Sequence, residues 1–347
     1  MRAVAKVRPE SGAMQVIEVD DPRPAPGQVL IHPLASGVCG TDVSFYHWYR
    51  PVVDSYGPTL PLIMGHEIAG TVTALGEGVA GLEPGRLVAV NPHTNCGKCF
   101  YCVSGRYVLC ENRRIIGCHI NGGWAEQVAV PRENVHTLPD GMDPLAAALM
   151  EPLTVAVHSV VDRVPVRAGD TVLVMGAGPM GLLHLLAARA CGARTVIVAG
   201  LETDRERLRL AEELGGLPLY AEREPVPRAV RRVNPRGADV AFDTTGDAEA
   251  LHASLASLRK GGRLGMVGFS HGKTPFDTLP MVLDELDLIG CRAYNRDTWP
   301  RSVGVMEAVA PQVRRLVTHV LPMAEIDKAI GLIERRECVK VVVQPDA

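Results

Sequence analysis

The sequence predicts an α/β chain that combines a mostly β domain with a doubly wound parallel sheet, and three observations predict it. Up to about residue 150, short runs alternate polar and apolar residues and are broken by Gly and Pro at close intervals. After Pro152, apolar runs lead into glycines and then into helical patterns, which is the texture of βαβ units. From about Ala293 the chain returns to the first style, so the expected boundaries are 1–152 plus 293–347 for one domain and 153–292 for the other.

In the first domain, Val29 to Pro33 and Ile68 to Leu75 read as strands of period two. In the second, Thr171 to Met175 is an apolar strand that runs into glycines and a helix. Thr195 to Ala199, Val240 to Asp243 and Leu264 to Gly268 continue the strand pattern. The Pro- and Arg-rich stretch from Glu222 to Arg236 reads as a surface connection with a short helix. The chain has no internal repeat and no low-complexity segment.

A chain of 347 residues with 47% hydrophobic content can fill two modest cores. Its formal net charge of -3, with both signs interspersed, argues against a nucleic-acid surface or a charged tail. Met1 to Glu18 has no apolar core of signal-peptide length, and no window approaches the roughly 18 to 20 apolar residues that span a bilayer. The expected setting is therefore cytoplasmic, with a small molecule as partner rather than nucleic acid or membrane. In that reducing compartment nine cysteines are not expected to form a disulfide framework. Cys118, Cys191, Cys291 and Cys338 have no cluster spacing and read as buried thiols.

Gly176-Ala-Gly178-Pro179-Met180-Gly181 follows a buried strand and opens an amphipathic helix, the context that makes G-x-G-x-x-G a dinucleotide motif. Gly176 permits the tight turn, Gly178 lets backbone approach a pyrophosphate, and Gly181 allows close helix packing; the helix N-terminus faces the phosphate charge. This makes the second domain a Rossmann domain. An NAD enzyme usually places an acid at the end of the second strand, and here that position is Gly200. Glu202 and Asp204 follow, as do Arg205 and Arg207. A displaced carboxylate for NAD, an arginine for the NADP phosphate, or a plain solvated helix start all accommodate them.

Cys96-x2-Cys99-x2-Cys102-x7-Cys110 supplies four thiolates, enough to wrap one tetrahedral zinc with no open position. An iron-sulfur cluster is the alternative taker of four thiolates. A closed zinc does no chemistry but contributes folding free energy, about 10 to 16 kcal/mol in small zinc modules. A second constellation is dispersed: Cys39, His66-Glu67 and Glu151. One thiolate, one imidazole and one or two carboxylates can bind zinc and keep a position open for water or alkoxide. Taken singly, a buried Cys is usually a small hydrophobe, a His beside Gly a turn residue, and a Glu before Pro a helix cap.

At these residues the chain resembles the zinc-containing medium-chain alcohol and polyol dehydrogenases, most closely the sorbitol dehydrogenase-like and threonine dehydrogenase-like branches. The resemblance covers essentially the whole chain. It rests on GVCGTD at 37–42, GHEIAG at 65–70, the four-cysteine lobe, GGWAEQVAVP at 122–131, EPLTVAVH at 151–158, GAGPMG at 176–181 and LRKGGRLGMVG at 258–268. It implies a GroES-like catalytic domain with the Rossmann domain inserted in it, and a homodimer or homotetramer. It also implies that Cys39 and His66 ligate a catalytic zinc. Glu67 and Glu151 would share the remaining role, one bound directly and the other through water or in exchange. Thr41 would hydrogen-bond the reacting oxygen and accept its proton.

Many relatives place a histidine five residues after the ligand cysteine to pass that proton outward; here the position is Ser44, with His47 nearby. His93 matches a histidine near the active site of threonine dehydrogenases, or is a surface loop residue. Tyr46, Trp48, Tyr49, Arg50, Arg292 and Tyr294 are candidates for a substrate cleft, or pack structurally. The expected reaction interconverts a secondary alcohol of a polyol, cyclitol, sugar or amino alcohol with its ketone, using NAD or NADP. The rivals are an L-threonine 3-dehydrogenase, a zinc-independent quinone or enoyl reductase that would not need Cys39, His66 and Glu67, and a non-catalytic descendant that should have lost a ligand.

Overall fold

The computed structural model describes residues 1–270 and 272–345. By internal contacts the chain divides into two units, Met1–Glu151 with Val313–Ala347, and Pro152–Gln312.

The first unit is built on a seven-stranded sheet. Gln28–Gly37 lies at its centre between Glu67–Leu75 and Lys340–Gln344, with Val128–Pro131 pairing to its first half. The central strand does not stop at Pro33 as the sequence suggests. Its register against Glu67–Leu75 shifts between Pro33 and Ala35, and this irregularity absorbs the residue that cannot donate to the ladder. The strand therefore continues to Gly37, which sits directly opposite Glu67. Inward residues Val29, Ile31, Ile68, Val72, Val88, Val90, Val128 and Val130 form one core. A second core gathers Phe45, Leu62, Met64 and Trp124 against Met323, Ile326, Ile330 and Val341. Burying each of these large side chains is worth about 1.5–3 kcal/mol against exposure.

The second unit is a six-stranded parallel sheet. In spatial order its strands are Leu217–Tyr220, Thr195–Gly200, Thr171–Met175, Ala238–Asp243, Leu258–Met266 and Asp287–Gly290. Numbered along the chain this is the order 3-2-1-4-5-6 of the doubly wound dinucleotide fold. Thr171–Met175 is buried at every position, as a strand covered on both faces must be. The Pro- and Arg-rich stretch holds its short helix at Val226–Val233.

Two expectations are corrected. The return to the first unit falls at Val313 rather than at 293, because the helix Thr298–Arg314 is anchored inside the second unit. There Thr298 Oγ1 donates to Asp162 Oδ2 at 2.8 Å, and Trp299 packs edge-on against Tyr294. Of the four unclustered cysteines, Cys118, Cys291 and Cys338 are buried, but Cys191 is only half-buried where the helix Pro179–Ala190 ends.

Candidate active site

Cys39 follows the end of the central strand and occupies the N-cap of the short helix Gly40–Tyr46. The helix opens with a reciprocal cap: Cys39 N–H donates to Asp42 Oδ2 at 2.8 Å, and Asp42 N–H to the Cys39 carbonyl at 3.0 Å. The other carboxylate oxygen of Asp42, which is fully buried, lies 3.3 Å from His66 Nδ1. A carboxylate there favours a proton on Nδ1 and leaves Nε2 as the ring's lone-pair donor.

His66 precedes the strand Glu67–Leu75, whose register brings Glu67 over Gly37. A Cβ at Gly37 would stand 1.9 Å from Glu67 Oε2, so only glycine lets this carboxylate cross the sheet at that point. Glu67 Oε1 accepts a hydrogen bond from Lys340 Nζ at 2.7 Å, and both residues are buried. Burial alone would push Lys340 down, but the charges of Glu67 and Cys39 outweigh it and raise its pKa, so it remains an ammonium. Among the described residues, Glu67 Oε2 is buried without a hydrogen-bond partner. Ligand atoms of Cys39, His66 and Glu67 lie within 4.8 Å of one another, so an orphaned oxygen, a thiol and an imidazole converge on one point. That donor set fits zinc. Glu151 is buried in the first turn of the helix Met150–Val157 but falls outside this group.

The Sγ atoms of Cys96, Cys99, Cys102 and Cys110 also lie within 4.8 Å of one another. Cys96 to Cys102 is 4.0 Å and Cys96 to Cys110 is 3.6 Å. Four sulfurs about 2.3 Å from a tetrahedral ion stand about 3.8 Å apart, whereas a disulfide would bring two of them to about 2.05 Å. The backbone N–H groups of Lys98 and Cys99 hold the Cys96 thiol down to about 6, and burial pushes Cys102 up to about 12. Cys102 therefore becomes a thiolate ligand only beside a cation.

Gly176 turns the chain at φ +103°, a conformation open to glycine, between Met175 and the helix Pro179–Ala190 that Gly178 caps. A Cβ at Gly181 would fall 1.9 Å from the Gly176 carbonyl oxygen, and none would meet anything at Gly178. Backbone at Gly178 is thus open to close approach, just ahead of the helical turn that begins with Pro179 and Met180. Gly200 ends the second strand, and Arg205 begins the helix Arg205–Glu213.

Residues 25–140 match the alcohol dehydrogenase GroES-like domain model, and residues 179–308 match the zinc-binding dehydrogenase model. A sorbitol dehydrogenase of Halalkalibacterium halodurans is 33% identical over 99% of both chains. An L-threonine 3-dehydrogenase of Pyrococcus furiosus is 36% identical over 92% of this chain and 91% of its own. The chain belongs to the zinc-dependent alcohol dehydrogenase family. Among solved structures, a Sinorhizobium meliloti protein described as a zinc-binding dehydrogenase and bound to NADP superposes with a TM-score of 0.90, at 32% identity and 99% coverage of both chains. The protein is accordingly an oxidoreductase acting on CH-OH groups with a nicotinamide coenzyme, on a GroES-like and a Rossmann-like domain.

Within this dehydrogenase, Thr41 stands half-buried on the first turn of the helix that Cys39 caps. Ser44 Oγ donates to the Gly40 carbonyl at 3.2 Å. His47 is exposed and engaged by Ser11 at 2.9 Å and Glu334 at 2.5 Å. His93 is buried on a two-residue strand rather than sitting on a surface loop. Among the cleft candidates, Tyr46 and Trp48 pack around the buried Lys6 ammonium at 5.9 Å, Arg50 pairs with Asp54, and Tyr294 packs on Trp299. Sequence reasoning missed Asp42 and Lys340. The spacing of Cys39 and Asp42, N-cap to third helical residue, was the available signal for the first.

Proposed function

We propose that this dehydrogenase interconverts a secondary alcohol of a polyol, cyclitol, sugar or amino alcohol with its ketone. In this reading Cys39, His66 and Glu67 hold the catalytic zinc, Glu151 contributes through water or in exchange, and the four-cysteine lobe holds a structural zinc. The convergence of Cys39, His66 and the orphaned Oε2 of Glu67 carries the reading. When bound, zinc supplies Lewis acidity to the substrate hydroxyl and nicotinamide supplies the hydride acceptor. Asp42 orients His66, and Lys340 orients and neutralises Glu67. The Thr41 hydroxyl receives the substrate proton. It passes its own proton outward to solvent or the coenzyme ribose, since Ser44 Oγ donates to the Gly40 carbonyl and His47 is engaged elsewhere. The glycine turn and the helix it opens bind the coenzyme pyrophosphate, with Gly200 and Arg205 at the adenosine end, so that the second unit acts as a coenzyme domain inserted in the catalytic one.

The protein works in the cytoplasm, where clustered thiols stay reduced and available as ligands, as a homodimer or homotetramer that sedimentation would resolve. The test is coenzyme reduction over a panel of polyols, cyclitols, sugars, amino alcohols and L-threonine. Turnover on hydroxylated substrates supports the proposal, and strict preference for L-threonine identifies the threonine 3-dehydrogenase branch. Reduction of quinones or enones with none of these oxidised would overturn it.

A further inference from the structure

The glycine turn locates a pyrophosphate but leaves the choice between the two coenzymes to the end of the second parallel strand, where the adenosine ribose meets the protein. The residue that ordinarily supplies a carboxylate there is Gly200. A Cβ at Gly200 would stand 3.2 Å from Ala177 Cβ and 3.4 Å from Asp204 Oδ2. The nearest acid is thus Asp204, and it is committed: Oδ2 accepts from the Leu201 N–H at 3.2 Å, and Oδ1 pairs with Arg207 at 3.2 Å.

The next acid, Glu202, opens the single turn Glu202–Asp204. Its Oε1 accepts from Arg223 Nε at 2.5 Å, and its Oε2 from Arg223 Nη2 at 3.1 Å and Arg205 Nη2 at 3.4 Å. Its own N–H donates to Glu222 Oε2 at 2.5 Å. The Arg223 guanidinium lies 3.9 Å over the ring of Tyr220, the sheet partner of Gly200. At this strand end Glu202 therefore pairs with Arg205 and Arg223 and Asp204 with Arg207, so each of the three guanidiniums is already paired, while Glu222 accepts the Glu202 N–H. A 2′-phosphate brings about -1.5 to -2 charges and would meet Glu202, Asp204 and Glu222. Ribose hydroxyls are donors, and the Glu202 carboxylate, which accepts three times from arginine, has one of its about four acceptor positions left for a hydroxyl.

We propose that Glu202, two residues beyond the usual position, makes this chain select NAD over NADP. Its carboxylate receives a ribose hydroxyl and holds Arg205 and Arg223 away from a 2′-phosphate. Selectivity of this kind arises as much from repelling the wrong ligand as from attracting the right one. The inference rests on the dinucleotide reading of the second unit given under the proposed function.

The test is equilibrium binding of NADH and of NADPH, by calorimetry, to the native protein, to Glu202→Ala and to Glu202→Ala/Arg223→Ala, with thermal unfolding to verify the fold of each. The native protein is expected to bind NADH at least about tenfold more tightly than NADPH. Glu202→Ala, which frees both arginines, should shrink that ratio by about tenfold or more, largely through tighter NADPH. Removing Arg223 as well should undo the gain. NADPH binding the native protein as tightly as NADH, or a ratio unmoved by Glu202→Ala, would overturn the inference and leave the dehydrogenase reading standing. Binding of neither coenzyme would overturn both.

Discussion

Asp42→Asn removes the carboxylate charge beside His66 Nδ1, the charge that favours Nε2 as the nitrogen left for a metal. In the native protein Asp42 Oδ2 accepts the Cys39 N–H at 2.8 Å while the negatively charged Oδ1 lies 3.3 Å from His66 Nδ1. Asparagine has one oxygen and one NH2 in those places. If the oxygen keeps the helix cap, the NH2 faces His66 Nδ1, donor against donor. The imidazole then accepts at Nδ1 and carries its proton on Nε2, where the metal must bind. Turning the amide the other way leaves the Cys39 N–H unsatisfied and loosens the neighbouring ligand. Either arrangement should weaken the catalytic zinc by about ten- to a hundredfold, equivalent to about 1.4–2.7 kcal/mol. Competition with a chromophoric chelator measures this, with the four-cysteine site as an internal reference, and denaturant unfolding verifies the fold. Zinc affinity within about twofold of native in a folded variant would refute the reasoning, since a tautomer switch costs more than that.

Other consequences follow from the same geometry. Lys340→Met leaves Glu67 buried without its cation and should destabilise the first unit by about 3–5 kcal/mol, read from the denaturant midpoint. Gly181→Ala puts a Cβ 1.9 Å from the Gly176 carbonyl and should weaken coenzyme binding at least about tenfold, measurable by calorimetry. Burial pulls His184 down to about 4, and among the described residues its Nε2 has no hydrogen-bond partner. The native state therefore binds fewer protons than the unfolded chain, whose histidines titrate near 6.5. Stability is fully present above that pH and falls as pH drops toward 4, by up to about 3 kcal/mol for this group. His184→Leu should flatten the acid side of the stability curve, and an unchanged slope between pH 6.5 and 4.5 would refute the assignment.

What was legible in the sequence was chiefly what is local. The four-cysteine lobe and the glycine turn each occupy one short segment, and the residue spacing already carries the geometry that the structure shows. Cys39 and the adjacent His66 and Glu67 come from two separate segments and were recognisable through resemblance; the register that sets Gly37 against Glu67 depends on a strand that runs past Pro33. Lys340 was not legible at all, because 273 positions separate it from Glu67 and only the pairing of Lys340–Gln344 with the central strand brings them together. The domain boundary was misplaced for a related reason. The contacts of Thr298 and Trp299, which join positions distant in sequence or depend on packing, hold the helix Thr298–Arg314 in the second unit.

The central claim, that this dehydrogenase works through a zinc held by Cys39, His66 and Glu67, is tested most directly by metal content and alcohol-dependent coenzyme reduction in the native protein and in Cys39→Ala. With two ligand groups among the described residues, two zinc ions per native chain, one in the variant and loss of turnover are predicted. A Cys39→Ala protein that keeps both zinc ions and full activity would contradict the account.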